Sequence, residues 1–180
     1  MFSKMPGQSE TTHCENRTKS DKDGSLVPIE STWSKTSVLV SVRNNEHVSV
    51  EGDPPIMALV HGIKVTEKVT FTLACLPVSV NDVIMSVCYL SHKVNGVTYY
   101  VTARDDKQVV LKEGSCDPVV SLTDARLFEM FARGNGWCQF RSFAHKDLFL
   151  THDGSSLYLK TMGSTDTQQF DFDLFQLSNT

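Results

Sequence analysis

Residues 137–159 read WCQFRSFAHKDLFLTHDGSSLYL: two aromatic-rich strand candidates, a tight turn at Asp153-Gly154, and a third strand candidate. The last part of this stretch has a form that recurs twice earlier in the chain. Val40-Ser41-Val42-Arg43-Asn44-Asn45-Glu46-His47-Val48-Ser49-Val50 aligns without gaps, 61 positions on, with Val101-Thr102-Ala103-Arg104-Asp105-Asp106-Lys107-Gln108-Val109-Val110-Leu111. A third copy starts at Leu150-Thr151-His152-Asp153 and reaches Leu157-Tyr158-Leu159 with one residue fewer. Each copy reads as strand, polar turn, strand. Three copies of one hairpin predict a threefold structure with turns near Asn44, Asp105 and Gly154.

The chain has 180 residues, a length that suits one domain with a tail, and 40% of them are apolar, enough for a real core. Net charge is −4 and no two Lys or Arg residues are adjacent, which argues against a nucleic-acid or heparin surface. The five cysteines (Cys14, Cys75, Cys88, Cys116, Cys138) contain no Cys-x-x-Cys, and several sit in apolar runs. They read as buried free thiols of a protein made in a reducing compartment. The N-terminus has no apolar core of a signal peptide and there is no 18-residue apolar run, so neither a secretory leader nor a membrane span is expected.

Residues 1–36 are polar, carry both signs of charge and have no sustained period. They read as a flexible N-terminal segment, a candidate pro-segment, ahead of a domain at 37–180. From Ser37 onward the apolar residues repeat with period two: Val38, Val40 and Val42, then Val48 and Val50, then Val69, Phe71 and Leu73. Asn135-Gly136, between Phe128–Phe131 and Trp137–Phe140, is the strongest turn signal, because that dipeptide accepts the positive φ angles of a type I′ hairpin. About twelve short strands and no helix are expected. With the repeat they predict an all-β trefoil, a six-stranded barrel closed at one end by three hairpins.

Catalytic signatures are missing: there is no Gly-x-Ser-x-Gly, phosphate loop, His-Glu-x-x-His or dinucleotide glycine pattern. His145, His152, Asp147 and Asp153 flank one strand, but alternation does not put all four on one face, so they read as surface turn residues rather than metal ligands. Asp171 and Asp173 share the polar face of a strand whose other face is Phe170, Phe172 and Leu174. Cys138 reads as core or rim rather than as a nucleophile. No catalytic residue, metal or cofactor is expected, and a binding protein remains.

Phe140-Arg141-Ser142-Phe143-Ala144-His145-Lys146-Asp147-Leu148-Phe149-Leu150-Thr151 resembles the signature of the interleukin-1 cytokine family, on its interleukin-1 beta-like side. Phe140, Ser142, Phe149 and Leu150 match in register. Phe143 and Thr151 stand where that signature has small residues, Lys146 where it has proline, and His152 where it has threonine. Tyr99 to Leu111, Val69 to Leu73 and the ending Phe170 to Phe175 resemble further family strands, so the resemblance covers roughly Val38 to Leu177.

It implies a β-trefoil cytokine, monomeric, made in the cytosol and released without a leader. It would be bound by an interleukin-1-type receptor with immunoglobulin-like domains and then by an accessory receptor, with inflammatory or immune signalling as the output. Arg43 looks like an arginine that the family presents to its primary receptor, although Arg104 sits at the matching place in the second copy of the repeat. Gln169 stands where the family's agonist has aspartate and its antagonist lysine, with Asp166 three residues earlier, and Asp23-Gly24 is a candidate processing point. A receptor antagonist of the same family and a sugar-binding trefoil are the alternatives. The sugar-binding modules usually repeat Gln-x-Trp, which Trp33 and Trp137 lack.

Overall fold

The computed structural model describes residues 27–28, 33–41, 46–62, 69–80, 83–115, 123–134, 137–161 and 175–179. Thirteen strands lie among them: β1 (Val27–Pro28), β2 (Trp33–Ser41), β3 (Glu46–Glu51), β4 (Ile56–His61), β5 (Thr70–Val80), β6 (Val83–Val94), β7 (Val97–Ala103), β8 (Val109–Glu113), β9 (Leu127–Gly134), β10 (Trp137–Ser142), β11 (Leu148–His152), β12 (Leu157–Thr161) and β13 (Phe175–Asn179). No α-helix occurs among the described residues.

Pairing runs β5-β2-β13-β10-β9-β6, and β5 also pairs with β6, so six strands close into a barrel. Closure leaves those strands without a free edge. The other strands form three two-stranded hairpins, β3/β4, β7/β8 and β11/β12, attached to β2, β6 and β10 respectively. This is the β-trefoil topology. The hairpins meet one another: the Leu159 amide donates to the Lys107 carbonyl at 2.7 Å, and Gln108 bridges to Tyr158.

The threefold relation differs from the gap-free alignment in its first copy. The matched pairs across the three cap hairpins are Val48 with Leu59, Val101 with Leu111 and Leu150 with Leu159, then Val50 with Met57, Ala103 with Val109 and His152 with Leu157. All twelve pack in or against the barrel core or are otherwise buried. Gly52, Arg104 and Asp153 open the three cap turns, at steps of 52 and 49 residues rather than 61. The expected turn at Asn44 lies outside the described residues, but its place between β2 and β3 connects a barrel strand to a cap strand, as Asn95-Gly96 does between β6 and β7. The three cap turns, 52–55, 104–108 and 153–156, differ in length, so an alignment without gaps does not bring them together. His152 fills a core position that is Val50 and Ala103 in the other two repeats, and it is 4% exposed rather than a surface turn residue.

Inside the barrel lie Leu39, Phe71, Leu73, Cys75, Cys88, Leu90, Phe128, Cys138 and Phe140. Leu39 enters that core, while Val40 packs outside it with Val60 and Val69. A second apolar cluster, Leu76, Val78, Val87, Tyr89, Tyr100 and Leu127, is separate from the first. It lines the β5/β6 hairpin and its neighbours.

Strand pairing starts ahead of the expected boundary at Ser37. Trp33 to Thr36 pair with Cys75 to Thr72 on β5, and Val27–Pro28 add a two-residue strand to the same β5 at Val78 and Ser79. Ser34, Lys35 and Thr36 are exposed, so this pairing leaves no apolar period for the sequence to show. The remaining part of 1–36 lies outside the described residues.

Candidate functional site

The four signature residues converge on one corner of the barrel. Phe140 and Ser142 are on β10, Phe149 and Leu150 on β11, and the two strands pair through Arg141 and Phe149. Phe140 is wholly buried and Leu150 is 1% exposed, both in the barrel core. The Ser142 hydroxyl accepts the His145 amide at 3.2 Å, which ties down the turn between the strands, and the Leu148 amide closes it onto the His145 carbonyl at 3.2 Å. Phe149 lies on the outer wall with its ring 6.2 Å from that of Phe131. The signature thus describes how one trefoil corner is packed.

Two arginine clusters that the sequence reading did not single out lie beside this corner. Arg141 is ion-paired with Glu129 across β9 and β10, and its guanidinium lies 5.1 Å from the Phe131 ring centre. Arg126 grips Asp124 with a fork, Nε to Oδ1 at 3.0 Å and Nη2 to Oδ2 at 2.7 Å. It also lies 5.6 and 5.4 Å from the ring centres of Tyr89 and Tyr100, and donates to the Ser115 carbonyl at 3.2 Å. The Asp124 hydrogen bonds raise the Arg126 pKa and hold it charged. Gly114 leaves space for this arrangement, since a Cβ there would come within 3.2 Å of the Tyr100 ring. Asp124-Ala125-Arg126 carries a local signal, an aspartate capping its own turn by accepting the Arg126 amide at 2.9 Å. Nothing in the sequence joins Tyr89 and Tyr100 to it. Guanidinium, carboxylate and ring faces are binding and packing groups; neither cluster pairs a nucleophile with a base.

At the third cap turn, Asp153 accepts the amides of Ser155 and Ser156, each at 2.9 Å, and the Ser155 hydroxyl at 2.8 Å. These bonds hold its carboxyl well below the usual carboxylate range. The His152 Nδ1 accepts the Gly154 amide at 3.2 Å. No group of three or more His, Cys, Asp or Glu residues that could hold a metal ion is present among the described residues. Cys75, Cys88 and Cys138 are buried thiols that form no disulfide.

Arg43, Asp166, Gln169 and the candidate processing residue Asp23 lie outside the described residues, as do Asp171 and Asp173. The fold still bears on Arg43. Its connection, β2 to β3, corresponds to β6–β7 and β10–β11, so Arg104, in a cap turn and ion-paired with Asp106 at 2.9 Å, is not its repeat counterpart.

No protein-family model matches the chain, and no curated protein matches it. Solved structures do. A designed threefold-symmetric protein, ThreeFoil, is similar at a TM-score of 0.54 and 13% identity, over 81% of this chain and 99% of that one. SeviL, solved bound to the asialo-GM1 saccharide, is similar at 0.53 and 10% identity, over 81% and 98%. At these identities the likeness is one of fold, and it places the chain among the β-trefoil proteins.

Proposed function

We propose that this chain is a cytokine of the interleukin-1 type, a receptor-binding protein rather than an enzyme, working through loops on a rigid trefoil. One observation carries the reading: Phe140, Ser142, Phe149 and Leu150 come together on two paired strands and their turn, so the resemblance rests on a structural unit rather than on scattered identities. In this reading the monomer is made in the cytosol and released without a leader, and an immunoglobulin-like receptor ectodomain binds it before an accessory receptor joins. Arg43 contacts the first receptor, and the segment with Asp166 and Gln169 governs recruitment of the second. Agonism follows from the acid at 166 and the lack of a lysine at 169.

The test is binding of the full chain, and of the chain starting at Gly24, to a panel of interleukin-1-type receptor ectodomains. Saturable binding to one of them, weakened about fivefold or more by Arg43→Ala, is the expected result. Gln169→Lys should keep that binding and lose signalling. A wild-type chain that binds without signalling is an antagonist. A chain that binds no ectodomain removes the reading.

A sugar-binding module is the second reading, favoured by the saccharide-bound lectin among the similar structures. Against it, none of the described aromatic side chains is exposed enough to serve as an open stacking platform; all are buried or half-buried. A glycan array probed with the same protein separates the two. Glycan binding without ectodomain binding would make the chain a lectin.

A further inference from the structure

Three of the cysteines meet inside the barrel. Cys75 on β5 and Cys88 on β6 are direct cross-strand partners, 1% and 0% exposed, and both belong to the barrel core. Directly opposed residues in an antiparallel pair have Cα atoms about 4.5 to 5.5 Å apart. A disulfide needs roughly 4.4–6.8 Å. The two side chains point the same way, into the core, and their thiols are close enough to interact. The Cys88 thiol also donates to the Phe128 carbonyl at 3.3 Å, which orients it inside the barrel. Among the described cysteines, Cys138 is the competitor. It sits on β10, separated from β5 by β2 and β13 and from β6 by β9, so no strand pairing sets its distance from either partner.

We propose that Cys75 and Cys88 are a disulfide-forming site, a covalent staple across the β5/β6 hairpin that closes when the chain meets a low-molecular-weight disulfide. The reaction is thiol–disulfide exchange. One cysteine attacks the small disulfide as its thiolate, forming a mixed disulfide and releasing one small thiolate. The second cysteine then attacks the protein-bound sulfur of that mixed disulfide and releases the other. The two cysteine protons end on the two small thiols. Two cysteine thiols are oxidised, one small disulfide is reduced, and the balance closes.

Burial sets the rate. Removal from water, then the neighbouring Cys75 thiol, raises the Cys88 pKa well above that of an ordinary thiol, and burial pushes Cys138 up to about 12. The attacking species is the thiolate, so the intact barrel exchanges slowly and closure runs through openings of β5/β6. The site is thus inert in a reducing compartment and becomes a lock after transfer to an oxidising one. It is independent of which partner the protein binds.

The experiment is incubation of the full, unmutated chain with oxidised glutathione, with and without sub-denaturing urea, followed by non-reducing peptide mapping by mass spectrometry. The expected product is a peptide pair linked through Cys75 and Cys88, two hydrogens lighter than the sum of its parts, formed faster in urea and undone by dithiothreitol. It persists in Cys138→Ala and is absent from Cys88→Val. A link from Cys75 or Cys88 to any other cysteine, glutathione adducts on Cys75 or Cys88 that never resolve, or free Cys75 and Cys88 thiols after complete unfolding and refolding in oxidised glutathione would each overturn the proposal. Because the decisive map is made on the unmutated chain, a variant that fails to fold does not cloud it.

Discussion

Glu129 and Arg141 stand opposite each other across β9 and β10 and form an ion pair on the barrel wall, the carboxylate side chain 11% exposed and the arginine 33%. The more buried partner is the one that suffers from being left alone. Arg141→Met should lower stability by about 2 kcal/mol, because it strands a desolvated carboxylate. Adding Glu129→Gln to that variant should recover at least half of the loss. Urea denaturation of the single and double variants measures the coupling, and strictly additive losses would show that the pair does not act as one.

Phe140 separates packing from recognition. As a wholly buried core ring, it should cost about 3–5 kcal/mol when changed to alanine. Partner affinity per folded molecule should stay unchanged. A stable Phe140→Ala protein that has lost its partner would instead make the residue a contact.

The β6–β7 turn depends on backbone geometry. Asn95 and Gly96 have φ angles of 50° and 86°, the positive pair that a type I′ hairpin requires. Gly96→Val should destabilise by about 1–2 kcal/mol, since a β-branched residue is strained there. Gly96→Asn should cost less. Thermal melts of the two variants give the order, and the reverse order would mean that the turn relaxes.

Asp153 should show its hydrogen bonds in its titration. Its folded pKa is depressed, so its contribution to stability is present above the unfolded carboxylate pKa and is lost as pH falls from there toward the folded value. Replacing Ser155 and Ser156 with alanine removes the two hydroxyl donors and keeps the amides, so the carboxyl should titrate higher than in the wild type but still below a free aspartate. Carboxyl-detected NMR follows this directly, and an unchanged titration would mean that the amides alone set it.

Much of the fold was legible because strands announce themselves locally. Alternating apolar residues and polar turns pointed to about twelve short strands, among them those that carry Val101, Val109, Leu150, Leu157 and Leu159. The phase of the first repeat was not legible. Strand–turn–strand looks the same whether it leaves the barrel or turns within the cap, and only pairing with a distant strand distinguishes the two. The Asn95-Gly96 turn carried the same dipeptide as Asn135-Gly136, yet the apolar Val94 and Val97 beside it blurred the boundary. Trp33 to Thr36 pair through backbone groups, and the exposed side chains of Ser34, Lys35 and Thr36 are polar, so the sequence has no mark for that pairing.

The candidate site divides along the same line. Phe140, Ser142, Phe149 and Leu150 could be picked out together because a single hairpin keeps them within eleven positions of one another. The clusters around Arg126 and Arg141, and the opposition of Cys75 and Cys88, join strands far apart in the chain or depend on a register that no local pattern records. Local chemistry therefore determined which segments become strands and turns. Closure of the barrel decided which of their side chains meet, because long-range pairing sets register and a shift of one residue sends a side chain to the other face.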